Sequence, residues 1–197
     1  MTARTSRGRR PGAPDTRAEV LAAARASFAE KGFRGTTIRA VAAAAGVDPA
    51  LVHHYFGSKD DLFVAALEIP VDPRAVLAPV VAAGPDGAGE RLLRAFLGVW
   101  DDPAVQPGLL AMVRSLLVDD AGGRLREAFV PVVVGPVLAG LVADRADVRI
   151  PLVASQVLGL IVARYVVALP PMAQMPADDV VARIGPVLQH YLTGDLA

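Results

Sequence analysis

Apolar residues recur along this chain at helical spacing, and nowhere convincingly at the two-residue period of a strand. From Asp15 to Lys31, Val20, Leu21, Ala24 and Phe28 line one side while Arg17, Glu19, Arg25 and Glu30 line the other, which predicts an amphipathic first helix. Asp15 or Thr16 can cap its start, and Gly32 stops it. Thr36 and Thr37 offer a capping hydroxyl to a short second helix with Ile38, Val41 and Ala42 facing inward, ended by Gly46. Asp48-Pro49 opens a third helix that runs to Phe56, with the acid as cap and proline at the first helical position, where its missing N–H costs least. Gly57 closes it, and Ser58-Lys59-Asp60-Asp61 starts a fourth that carries Leu62, Phe63, Ala66 and Leu67.

Further along, the Pro/Gly/Ala-rich stretch Val71–Gly89 reads as a junction, with room for a helical turn or more over Arg74–Ala83. Helices are expected near Glu90–Trp100, Gln106–Val118, Arg124–Val142, Arg149–Leu169 and Asp178–Leu192, the third of these broken or kinked at Pro131 or Pro136. Val132–Val134 is the best strand candidate, but the prolines on both sides argue for a kinked buried helix. Leu152–Leu169 is apolar almost all round and must be covered on several sides. The last helix offers Val180, Val181, Ile184, Val187, Leu188, Tyr191 and Leu192. Self-association of residues 150–192 as a four-helix bundle about a two-fold axis would cover both; the alternative is that they form the monomer's own core. The fold class is therefore all-α.

Composition sharpens the division. The 197 residues are formally neutral, yet residues 1–59 hold ten Lys/Arg against four acids and residues 60–197 hold ten against sixteen, balances of +6 and −6. The basic end suits a nucleic-acid reader. Residues 1–14, with Arg4, Arg7, Arg9 and Arg10, read as a disordered basic arm, either a solvated tail or a source of phosphate contacts. The absence of cysteine excludes disulfides, thiolate metal sites and cysteine nucleophiles. No apolar signal region follows the arginines. The charge-free stretches Ala128–Ala143 and Ile150–Ala163 fall short of the ~20 residues of a membrane span and contain Pro131, Pro136 and Pro151. A soluble, cytoplasmic protein with no membrane partner is the expectation.

The chemistry concentrates between Phe33 and Phe63. Two short helices joined by a glycine-containing turn form a helix-turn-helix, the second helix entering the major groove and the first crossing the backbone. On the reading helix, Leu51, Val52 and Phe56 can pack back, leaving Pro49, Ala50, His53, His54 and Tyr55 for the bases. Thr36 or Thr37 and Lys59 place a hydroxyl, helix N-termini and a charge where phosphates would lie. This segment resembles the DNA-binding domain of the TetR family in Phe33-Arg34-Gly35-Thr36-Thr37, the alanine-rich helix with Gly46-Val47, His53-His54-Tyr55-Phe56, and Gly57-Ser58-Lys59-Asp60-Asp61-Leu62-Phe63. The family often has tyrosine where this chain has His53 and His54, and histidine where it has Tyr55, so the base preference is left open.

The resemblance implies a non-enzymatic regulator. A basic arm (1–14) and a DNA-binding domain (15–62) precede an effector-binding and dimerisation domain (63–197), and a homodimer represses from a palindromic double-stranded operator until a small apolar effector releases it. Phe96, Trp100, Met112, Arg114, Leu116, Phe129, Gln156, Arg164 and Tyr165 are the candidates for an effector pocket, the apolar ones serving otherwise as core and Arg164 otherwise as half of an ion pair across the dimer. No cofactor or metal is expected: neighbouring His53 and His54 point about 100° apart on a helix, without acids to complete a ligand set. Asp101-Asp102, Asp119-Asp120 and Asp178-Asp179 read as helix-end or capping pairs. The serines lack a nucleophile elbow.

Overall fold

The computed structural model describes residues 15–118 and 128–196, which are helical throughout their regular parts and contain no strand. The basic arm, Asp119-Asp120 and the start of the helix expected from Arg124 lie outside the described residues, as do the side chains of Arg114 and Leu116. The helices are α1 (Thr16–Gly35), α2 (Ile38–Ala44), α3 (Pro49–Phe56), α4 (Lys59–Ala66), α5 (Pro73–Ala82), α6 (Ala88–Trp100) and α7 (Gln106–Val118). After the gap, α8 (Phe129–Leu138) is π-helical through Val134, α9 (Ala146–Val166) is π-helical from Val162, and α10 (Ala177–Thr193) ends the chain.

Local chemistry sets the boundaries at the N-terminal end. Asp15 accepts the Arg17 and Ala18 N–H groups, Thr37 that of Ala40, Asp48 that of Ala50, and Ser58 that of Asp61, each satisfying an otherwise orphaned donor of a helix start. Ser58 and Asp61 do so reciprocally as a capping box. Gly32, at φ 69°, breaks the helical path inside α1, so that the chain bends before Phe33.

These helices enclose a first core of Val20, Leu21, Ala24, Phe28, Val41, Ala42, Val52, Phe56, Leu62, Phe63 and Ala66. At its centre Phe63 meets Phe28 and Phe33 edge-on at centroid distances of 5.1 and 5.2 Å, while Phe28 and Phe33 stack at 6.0 Å. Each such pair contributes roughly 0.5–1.5 kcal/mol beyond area burial. Phe63 and Ala66 carry this core past residue 62, and Ala128 and Val133 of the distant α8 segment complete it.

A second core gathers Leu77 and Val80 of α5, Leu92, Leu93 and Leu97 of α6, Leu138, Leu141, Ile150, Val153 and Leu160, and Val180, Val181, Leu188 and Leu192 of α10. The stretch expected as a junction is thus largely the ten-residue helix α5, its interior Pro79 tolerated because Leu77 and Val80 bury its inner face. Helices α6 and α10 cross at two glycines. A Cβ at Gly89 would stand 2.3 Å from the Gly185 carbonyl oxygen, and the Gly89 N–H donates to Gln189 Oε1 at 2.9 Å. Helix α8 belongs to both units, since Val134 packs against the first core and the second.

Helix α9 has the length its sequence suggests but lies three residues earlier. It starts three residues before Arg149, runs through Pro151 without a break, and by length and composition, 21 residues of mean hydropathy 1.6, matches a membrane span. It is tied at both ends by arginine. Arg149, 4% exposed, pairs with Asp144 at 2.6 Å and donates to the Tyr191 and Gly194 carbonyls at 2.9 Å each. Much of its length faces outward, with Leu158 49% exposed and Val167 and Leu169 beyond its end 55% and 50% exposed.

Candidate DNA-reading surface

Helix α3 is the short element from which a reading face is built. Val52 and Phe56 point into the first core, Leu51 is half-buried, and Ala50, His53, His54 and Tyr55 face outward. With Pro49 half-buried and Ala50 small, the start of the helix presents little bulk, and the imidazoles and the phenol stand above it. His53 is held at the other end: its Nδ1 lies 2.7 Å from the Gly57 carbonyl oxygen, while the Gly57 N–H donates to the His53 carbonyl at 2.8 Å. Gly57 sits at φ 80°, a conformation that only glycine adopts readily.

Two helix N-termini accompany this face. Thr37 caps α2 and is exposed; its oxygen accepts from Ala40, leaving the hydroxyl hydrogen to donate outward. Lys59 opens α4 with its Nζ 4.3 Å from the centre of the Phe33 ring, which draws it beside the turn leading into α2. The N–H groups of such helix starts suit phosphate oxygens.

Thr36 departs from the sequence expectation. It is 1% exposed, its hydroxyl donates to the Gly32 carbonyl at 2.9 Å, and, with that hydrogen committed, it accepts from Ser27 at 3.1 Å. It is a brace between α1 and the turn, not an outward hydroxyl. Two residues that sequence spacing does not single out lie at the edges of the face. Arg17 spreads over the Phe56 ring at 5.1 Å, and Arg39 is exposed in the first turn of α2. A basic residue in a first helical turn was the available signal for both.

The effector candidates divide. Phe96, Trp100 and Tyr165 stack in series, with centroids 5.6 and 5.0 Å apart, and Met112 packs against the same cluster. The Tyr165 hydroxyl donates to Asp101 at 2.8 Å, and burial together with that carboxylate pushes the phenol well above its ordinary range. Arg164 forms an ion pair within the chain: Nη2 reaches Asp101 at 3.4 Å, and Nη1 donates to the Met172 and Met175 carbonyls at 2.9 and 2.7 Å. Phe129 lies apart, against the first core. Gln156 is half-buried on α9, two turns before Arg164.

Open space is found elsewhere. A cleft of about 640 Å³ is lined by Lys31, Gly32, Phe33, Arg34, Ala128, Pro131 and Val132, and one of about 240 Å³ lies where α4 meets α5, among Asp61, Glu68, Asp72 and Arg74. In the second, Arg74 joins Asp61 at 2.5 Å and Asp72 at 3.3 Å, and Arg25 pairs with Glu68 across its edge. Among the described residues no group of three histidines or acids is gathered as a metal site.

Comparison with known proteins bears on both units. Residues 20–66 match the family model of bacterial regulatory proteins of the tetR family, and residues 86–192 that of the tetracyclin repressor-like C-terminal domain. The crystal structure of a TetR-family regulator from Streptomyces coelicolor A3 is 41% identical, covers 94% of this chain and 98% of its own, and superposes with a TM-score of 0.55. The HTH-type transcriptional repressor AcnR of Corynebacterium glutamicum is 33% identical over 89 residues, 45% of this chain and 43% of that protein. The HTH-type transcriptional regulator BetI of Brucella anthropi is 43% identical over 54 residues, 27% of this chain and 28% of its own. The chain thus spans less than half the length of these two curated relatives. With one model on the reading head, a second on more than half of the chain and a 41% identical regulator matched nearly end to end, the chain belongs to the TetR family and is a DNA-binding transcriptional regulator.

Proposed function

We propose that this regulator is a repressor that holds a palindromic operator as a homodimer and lets go when a small, apolar effector enters its C-terminal unit. The observation that carries the DNA contact is the outward face of α3, whose Val52 and Phe56 are turned in while Ala50, His53, His54 and Tyr55 stand out, beside the capped starts of α2 and α4. Pro49, Ala50, His53, His54 and Tyr55 meet base edges, and Thr37, Lys59 and the helix starts meet phosphates. Lys59→Ala weakens binding to all sequences about equally and makes the salt dependence shallower. Unchanged binding and salt slope in gel shifts would defeat this assignment.

The dimer reading rests on the outer faces of α9 and α10. Pro151, Ser155, Leu158 and Gly159 on α9 and Ala182, Pro186 and Val187 on α10 are exposed, small or apolar for the most part, and recur at helical spacing. A face of this kind suits a partner helix pair. Light scattering at micromolar concentration tests it: a dimer that Leu158→Glu converts to monomer supports the reading, and a wild-type monomer refutes it.

For the effector, the cluster Phe96–Trp100–Tyr165 with Met112 is the best-supported place, because it forms a separate small core around Trp100, Leu109 and Val113 beside the main one. Arg164 and Asp101 supply polar groups at its rim. Release follows if the effector prefers a conformation whose reading heads no longer match successive major grooves. A compound that raises the unfolding temperature and lowers operator affinity identifies such an effector. Stabilisation without DNA release would separate binding from regulation.

A further inference from the structure

We propose that His53 reads the operator as a hydrogen-bond acceptor, through Nε2, and so selects a base carrying an exocyclic amino group, adenine or cytosine, at one position of each half-site. The inference deepens the reading of α3 as the helix in the major groove and rests on it.

The argument begins at the Gly57 carbonyl, which can only accept. With His53 Nδ1 2.7 Å from that oxygen, the ring proton belongs on Nδ1. Nε2 of the uncharged imidazole is then a bare lone pair, and it is the atom left to face outward from an exposed side chain. The bond is built in. Gly57 returns its own N–H to the His53 carbonyl at 2.8 Å, and its φ of 80° turns the peptide that offers the acceptor back toward the ring. Pro49 and Ala50, the neighbours of His53 one turn earlier, are short enough not to shield the ring.

Elimination then identifies the partner. Phosphate oxygens accept only, so they offer nothing to a bare Nε2. In the major groove guanine shows two acceptors, and thymine shows an acceptor and a methyl group. Only adenine N6 and cytosine N4 carry donors there. His54 and Tyr55 are not constrained in this way, because neither makes a side-chain hydrogen bond among the described residues, and either can donate or accept. In its neutral form His53 is the reader whose polarity is set before DNA arrives.

The test uses the full chain and an operator selected by it from random duplexes. In the free protein at pH 8, nitrogen-proton correlation spectra, with the His53 ring assigned by its disappearance in His53→Ala, are expected to show the proton on Nδ1; a proton on Nε2 overturns the proposal. In the selected operator, each adenine is replaced in turn by purine and each cytosine by pyrimidin-2-one, removing single amino groups. At one position per half-site wild-type affinity falls about three- to tenfold, the scale of one net hydrogen bond, and His53→Ala with an unchanged unfolding temperature shows no further fall there. If no position couples to His53 although an operator was enriched, the acceptor role is wrong and the reading helix stands. If no sequence is enriched at all, the reading helix fails as well.

Discussion

The two halves of this chain hold their helices in different ways. In the reading head every one of α1 to α4 begins on a side-chain cap: Asp15, Thr37, Asp48 and Ser58. In the C-terminal unit Asp72 caps α5, but α6, α8, α9 and α10 start at Gly87, Ala128, Arg145 and Pro176 without any side-chain cap. The first half fixes its helices through local hydrogen bonds around an aromatic centre. The second fixes its own through crossings and buried arginine, and leaves apolar surface uncovered. Local definition suits an element that must meet DNA in one geometry, and definition by packing suits one whose helices shift when a ligand alters that packing.

Substitutions can break or sharpen this contrast. Phe28→Ala empties the centre of the aromatic trio and is expected to cost about 3–5 kcal/mol, read by thermal unfolding as the largest loss in the set. If the head is a local unit, DNA binding fails with it. Gly89→Ala drives a methyl group into the α6–α10 crossing, at about 1–3 kcal/mol, and its signature is a loss of stability whose DNA-binding defect is repaired by a compound that binds the C-terminal unit. Asp48→Ala removes the α3 cap, at about 1 kcal/mol; denaturant unfolding measures it, and no cost would contradict local definition of the reading helix.

The smallest expected effect lies at the joint between the halves. Hydrogen bonds from Ser58, then from Arg74, hold the Asp61 carboxyl below its ordinary value of 3.8. Its contribution is present above that value and disappears as pH falls through the lower, folded one. Asp61→Asn should therefore be slightly less stable than wild type at pH 7 and indistinguishable from it in strong acid. Because both partners are more than a third exposed, with side-chain exposures of 39% and 37%, solvent screening keeps the difference small. Stability curves measured against pH that stay parallel into acid would remove Asp61 from the joint.

Legibility in the sequence follows the same division. The span of α3 can be read in advance because Asp48, Pro49 and Gly57 each act within their own turn, and the span of α7 matches its apolar pattern as well. Thr36 and Thr37 could not be told apart, because the choice depends on Ser27, nine residues away in α1. Pro73 and Pro79 made α5 look like a junction, although one starts the helix and the other is carried by packing. Arg149 reads as a helix start, whereas it lies inside α9 and donates to the Tyr191 and Gly194 carbonyls, which lie more than forty residues further on and leave no trace in local spacing. The sharing of α8 between two cores leaves no trace in spacing, since contacts so distant in sequence have no period. For the effector candidates, helical pattern yields large apolar residues without saying which of them meet: Phe96, Trp100 and Tyr165 do, and Phe129 does not.

Trp100 is the chain's single tryptophan, 5% exposed between Phe96 and Tyr165, in the unit that carries no reading helix. Excited where tyrosine does not absorb, the protein therefore emits from one address. A ligand that parts the ring stack, or an acid that loosens Asp101 from Tyr165, changes that emission directly, whereas a duplex on α3 reaches it indirectly, through the packing that joins the halves. The regulator carries its own optical gauge of communication between its halves.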